Sequence, residues 1–153
     1  MSTIALIRPH DWTIPLLVHI FGAMLLVGAL TLAAISLIAA WRTGSAKLTR
    51  LGFVSVFYGA IPGWIIMRGG AQWIAHKEGL ENSDLSWIGI GFTMSDLGFV
   101  LLIVLLVIGG LIVRRINRDE SGPWISARIA TGLVSLLLIG YLVAVWAMTT
   151  KPT

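Results

Sequence analysis

The apolar positions fall into four long runs with few polar interruptions. The first goes from about Trp12 to Ala40, the second from Leu51 to Met67, the third from about Leu85 to Val113, and the fourth from about Ile129 to Thr150. A bilayer core of about 30 Å takes roughly 20 residues of helix to cross. Each run meets that length or extends to it with its borders. The pattern therefore predicts an all-α, membrane-embedded four-helix bundle as a single transmembrane domain, with helices over roughly 12–41, 50–75, 85–113 and 127–150.

The first run is too long for the core of a signal peptide. It ends on Trp41-Arg42 rather than on a small-residue cleavage pattern, so it reads as an uncleaved helix with Pro15 in its opening turn. Pro62 is expected to kink the second helix. Lipid tails are as apolar as leucine, so helix contacts should rely on small residues. Gly59 and Gly63 make one such step, Ala29 and Ala33 a second, and Gly91 and Gly98 lie two turns apart in the third helix. These steps serve packing inside the bundle or contact with a second copy or a partner subunit.

The polar links sort by charge. Arg42, Lys47 and Arg50 lie between helices one and two, while Arg114, Arg115, Arg118 and Arg128 border the link between three and four. Both links are expected on the cytoplasmic side of a bacterial inner membrane. The remaining link, His76 to Asp84, is acidic on balance, which places it and both termini on the extracytoplasmic side. Trp41 and Trp124 mark the inner border in this frame, and Trp12, Trp73, Trp87 and Trp146 the outer one.

Composition narrows the chemistry. The chain has 153 residues, of which 57% are hydrophobic and 12% charged. Its mean hydropathy is +0.91, and soluble domains carry about a quarter charged residues. The absence of cysteine rules out disulfides, thiolate metal sites and cysteine nucleophiles. The basic balance is confined to the helix borders, where it reads as a topology signal and a lipid contact, and no basic and aromatic motif points to nucleic acid. There is no Ser/His/Asp grouping, no H-E-x-x-H and no phosphate loop, and the expectation is a protein that is not an enzyme.

Two charges interrupt the apolar runs. Arg68 lies 18 residues after the basic border at Arg50, and Asp96 lies 18 residues before Arg114, which puts both about 27 Å from the basic side. A lone charge in hydrocarbon costs roughly 3 kcal/mol or more, so the two are expected to turn inward and meet. Gln72 and Thr93 lie one turn from them. The constellation has two readings: a pair that sets helix register, or an outward-facing polar pocket lined by His19, Arg68, Gln72 and Asp96 that binds a small ligand, a metal ion or a partner.

His19 counts to about 34 Å from Arg42, near the outer border with His76 and His10. Two of these rings could hold haem b. Met24, Met67, Met94 and Met148 count to about 26 to 30 Å, a depth at which thioethers could take copper, although methionine is also an ordinary filler of helix interfaces. A redox component, with haem b or with Arg68 and Asp96 beside a quinone, and a purely structural subunit are the two alternatives to a binding protein.

Several segments carry a family resemblance: Leu17-Val18-His19-Ile20-Phe21-Gly22 with Val27-Gly28, Trp41-Arg42-Thr43-Gly44 with Leu48 and Arg50, Ser86-Trp87-Ile88-Gly89-Ile90-Gly91-Phe92, and Ala147-Met148-Thr149-Thr150-Lys151-Pro152. Over all four helices the chain resembles small bacterial four-helix membrane proteins of unknown function that are distantly similar to the membrane module of copper-resistance D proteins. The resemblance implies a histidine near the outer end of helix one, matched by His19, and a link to copper or haem handling in some relatives. Arg68 and Asp96 are not part of the pattern that carries it.

Overall fold

A computed structural model describes residues 13–78, 86–118 and 125–150. The described residues are helical apart from short turns. They form α1 (Thr13–Thr43), α2 (Ala46–Ser55), a π-helical turn (Val56–Ala60), α3 (Ile61–Glu78), α4 (Ser86–Ile116) and α5 (Ile125–Thr150). The α2, π and α3 pieces run on as one rod, so four helical spans are long and apolar enough to cross a membrane. Large apolar side chains such as Ile35, Tyr58, Val107 and Ile139 are exposed on their outer surfaces. An apolar exterior suits a bundle whose solvent is lipid.

The first turn is made by two residues. Gly44 takes a left-handed conformation, with φ of 68°, that ends α1, and its N–H donates to the Ala40 carbonyl at 2.8 Å. Ser45 then caps α2 by accepting from the Leu48 N–H at 3.4 Å.

A π turn lies just before Pro62, where a kink is expected. Proline has no N–H and its ring crowds the carbonyl four residues earlier, here that of Tyr58. The rod widens just before it, and the Ile61 N–H donates five residues back, to Val56. The extra residue rotates the face of α3 relative to α2 while the rod stays unbroken.

α1 packs most extensively against this rod and then against α5, and α4 packs mainly against α5. The small-residue steps are used inside the bundle. Gly59 rests on Ala29, Gly63 on the backbone of Leu26, and Gly70 on the backbone of His19, where a Cβ would stand only 2.6 Å from the His19 nitrogen. Ser55 adds a hydrogen bond across the same interface, from Oγ to the Ala29 carbonyl at 2.8 Å.

On α4 the buried positions are Gly91, Ser95, Gly98, Leu102, Leu105, Gly109 and Ile112, alternating in steps of four and three. That is the spacing of a coiled-coil seam, and α5 answers it with Ala130, Val134, Leu137, Tyr141 and Ala144. Gly98 faces Tyr141, and Gly91 faces Met148.

The seam between the rod and α4 is the thin one. The two backbones make few close approaches along their whole length, and long side chains bridge the space instead.

Candidate functional site

The basic residues collect at one end of the bundle. There Arg50 donates from Nη2 to the Asn117 side-chain oxygen, and the Arg128 guanidinium lies over the Trp41 ring at 4.8 Å. The opposite half holds the polar side chains that interrupt the apolar runs.

Arg68 leaves α3 and crosses the thin seam. Its Nη2 lies 3.2 Å from Asp96 Oδ1 on α4, and its guanidinium sits 4.5 Å from the centre of the Phe92 ring, one turn earlier on the same helix. One turn back on α3, the Trp64 Nε1–H donates to the Ser95 carbonyl at 3.0 Å, and its indole stacks on Phe99 with centroids 4.2 Å apart. Five side chains on two helices thus interlock across the seam. Spacing explains the set: Trp64 and Arg68 are four residues apart, as are Phe92 and Asp96, so each pair presents one face.

The two charges are placed unequally. The Asp96 side chain is 62% exposed at the rim of the seam, against 24% for Arg68. Among the described residues, three buried polar side-chain atoms have no hydrogen-bond partner: Arg68 Nη1, Ser95 Oγ and the Tyr141 hydroxyl. Gln72 and Thr93, the polar neighbours one turn away, are both exposed.

His19 belongs to the neighbouring interface. Its Nδ1 lies 2.9 Å from the Met67 carbonyl, which can only accept, so Nδ1 carries the proton and Nε2 points elsewhere. Met67 and Arg68 are consecutive, and His19 therefore braces from α1 the turn of α3 that launches the arginine. His76 is exposed and lies six residues beyond Gly70, the residue against which His19 packs. That is about 9 Å further along α3, so the two rings stand at different levels. His10 lies outside the described residues.

The methionines are spread over separate surroundings. Met24 is 70% exposed, Met67 packs against the core, Met94 sits against Gly140, and Met148 against Gly91. Among the described residues no three His, Cys, Asp or Glu side chains come together as a metal cluster. Of the border tryptophans, Trp12, Trp124 and the Trp87 side chain lie outside the described residues, while Trp41, Trp73 and Trp146 are exposed.

Reading the sequence misses Trp64, Phe92, Ser95, Phe99 and Tyr141 as parts of the site. A signal exists for some of them. Ser95 adjoins Asp96, Phe92 and Phe99 flank it by four and three residues, and Tyr141 carries a polar tip within an otherwise apolar stretch.

No protein-family model matches the chain, and neither the curated proteins nor the solved structures include a significant match to it.

Proposed function

We propose that this chain is a non-enzymatic, multi-pass protein of a bacterial inner membrane, with its basic end in the cytoplasm and both termini outside. In this reading it binds a small ligand, a metal ion or a partner subunit at an outward-facing polar pocket around Arg68 and Asp96. The observation that carries it is the exposure of Asp96. A pair serving only helix register would sit between the helices, because a carboxylate facing hydrocarbon costs a few kcal/mol. Asp96 instead presents more than half of its side chain to the surroundings while holding Arg68 through one oxygen. A carboxylate so placed needs water, headgroups or a bound molecule around it. Arg68 supplies the opposite charge, and the thin seam supplies access.

The test is a thermal-shift screen of metal ions and small polar compounds on the purified protein. The reading expects at least one compound that raises the melting temperature of wild type and does not raise that of Asp96→Asn, with the two proteins equally stable in its absence. It is lost if no compound separates the two and Asp96→Asn is itself severely destabilised, which is the behaviour of a structural pair.

A second reading is favoured by His19. With Nδ1–H given to the Met67 carbonyl, Nε2 is left in the tautomer used by metal-binding imidazoles. This agrees with the resemblance to copper-resistance D modules and supports haem or copper handling at the outer end of α1. An optical spectrum and metal analysis of the purified protein test it.

A further inference from the structure

Arg68 Nη1, Ser95 Oγ and the Tyr141 hydroxyl all lack partners, and all can donate. Ser95 and Tyr141 are 6% and 5% exposed, deep enough that lipid headgroups do not reach them. Their positions are linked through α4. The Tyr141 hydroxyl lies against Gly98, where a Cβ would stand 3.2 Å from ring atom Cε2 and closer still to the phenol end. Gly98 follows Ser95 by three residues on the buried face of the helix, so the two hydroxyls open onto the same stretch of α4, about one turn apart. Arg68 is anchored to Asp96, the residue next to Ser95. The three unpartnered groups therefore belong to side chains that are carried by, or in contact with, the α4 turn 95–98.

From this gathering we infer a second, inner compartment of the Arg68–Asp96 site, which binds the carbonyl oxygen of a neutral, lipid-soluble molecule through Arg68 Nη1, Ser95 Oγ and the Tyr141 hydroxyl. The inference rests on the outward-facing site proposed above and gives it a ligand class. Three donors call for an acceptor, and a carbonyl oxygen has two lone pairs to share among them. Charge selects against a carboxylate: Asp96 already neutralises Arg68, and a second anion beside it would be repelled. Access selects for solubility in lipid. The seam between α3 and α4 is lined by Phe92 and Phe99 and flanked by the exposed Leu97 and Val100, apolar walls beside the rim at Asp96 that suit the hydrocarbon part of such a molecule.

The experiment uses the full chain in lipid nanodiscs and a decyl-tailed para-benzoquinone labelled with carbon-13 at its carbonyls, with decylbenzene as the hydrocarbon control. Wild type is expected to bind the quinone saturably and to shift its carbonyl band to lower frequency in infrared difference spectra, while decylbenzene has no saturable effect. Tyr141→Phe and Ser95→Ala are each expected to weaken binding about tenfold, the loss of roughly one hydrogen bond to the ligand, and to reduce the band shift. Each variant's melting temperature shows that it is folded. No band shift with wild type, or equal binding by wild type and both variants, overturns the inner compartment. The outer site is judged separately: if Asp96→Asn loses its response in the polar-ligand screen while Tyr141→Phe and Ser95→Ala keep it and bind the quinone as wild type does, the outer reading stands and this one falls.

Discussion

Arg68 holds Asp96 by one bond, Nη2 to Oδ1 at 3.2 Å, and leaves its other terminal nitrogen buried with nothing to accept from it. The ion pair thus separates two environments. Its carboxylate is open at the rim, and its guanidinium is largely buried against the Phe92 ring. This arrangement gives the site one open and one buried partner.

The coupling between the two charges should be small. Exposed ion pairs typically contribute 0.2–1 kcal/mol, and Asp96 is mostly exposed. In a double-mutant cycle of Arg68→Ala and Asp96→Ala followed by reversible unfolding, a coupling of about 1 kcal/mol or less is expected. Arg68→Ala should cost more than Asp96→Ala, because it also removes the contact with Phe92. A coupling of several kcal/mol would identify the pair as a register lock.

Two adjacent glycines should respond oppositely to alanine. At Gly70 a Cβ would lie 2.6 Å from the His19 nitrogen, a backbone atom that cannot swing away, whereas at Gly69 it would meet nothing within 4 Å. Gly70→Ala is expected to destabilise by about 1–3 kcal/mol through overpacking. Gly69→Ala should be neutral or stabilising by up to about 1 kcal/mol through helix propensity. Equal effects on melting temperature would show that α1 and α3 are not in backbone contact.

His19→Asn retains a side-chain N–H able to reach the Met67 carbonyl, and His19→Leu does not. The leucine variant should therefore unfold at lower temperature than the asparagine variant, by an amount corresponding to about 1 kcal/mol. For the binding protein proposed above, the wild-type absorption spectrum is expected to lack a Soret band. A band that disappears in both variants would instead establish His19 as a haem ligand.

Topology is testable with single cysteines, since the chain has none of its own. In intact cells whose outer membrane has been permeabilised, a membrane-impermeant maleimide is expected to label Thr150→Cys and not Lys47→Cys. Labelling in the reverse order would invert the bundle and move the Arg68–Asp96 site to the cytoplasmic half.

Much of the frame is legible in the residues themselves. The four apolar runs define four helical spans, each long and apolar enough to cross a membrane. Basic residues at Arg42 to Arg50 and at Arg114 to Arg128 locate one end of the bundle. Equal counts from those borders put Arg68 and Asp96 at one level, since helix rise is constant.

The residue pattern thus sets the length of each helix and the level of each residue along the bundle axis. Rotation about each helix axis is set by packing in the folded bundle. Helices that are apolar nearly all round carry little periodicity to orient them, and small side chains such as those of Gly63, Gly70 and Ser95 take their meaning from what stands opposite. That is why Asp96 lies at the rim rather than turned inward, why Gln72 is exposed, and why Ser95 and Tyr141, which counting along the chain does not single out, are buried with unpartnered hydroxyls. The π turn before Pro62 adds to the same effect, because it re-aims α3 by one residue without shortening the run that the apolar pattern shows.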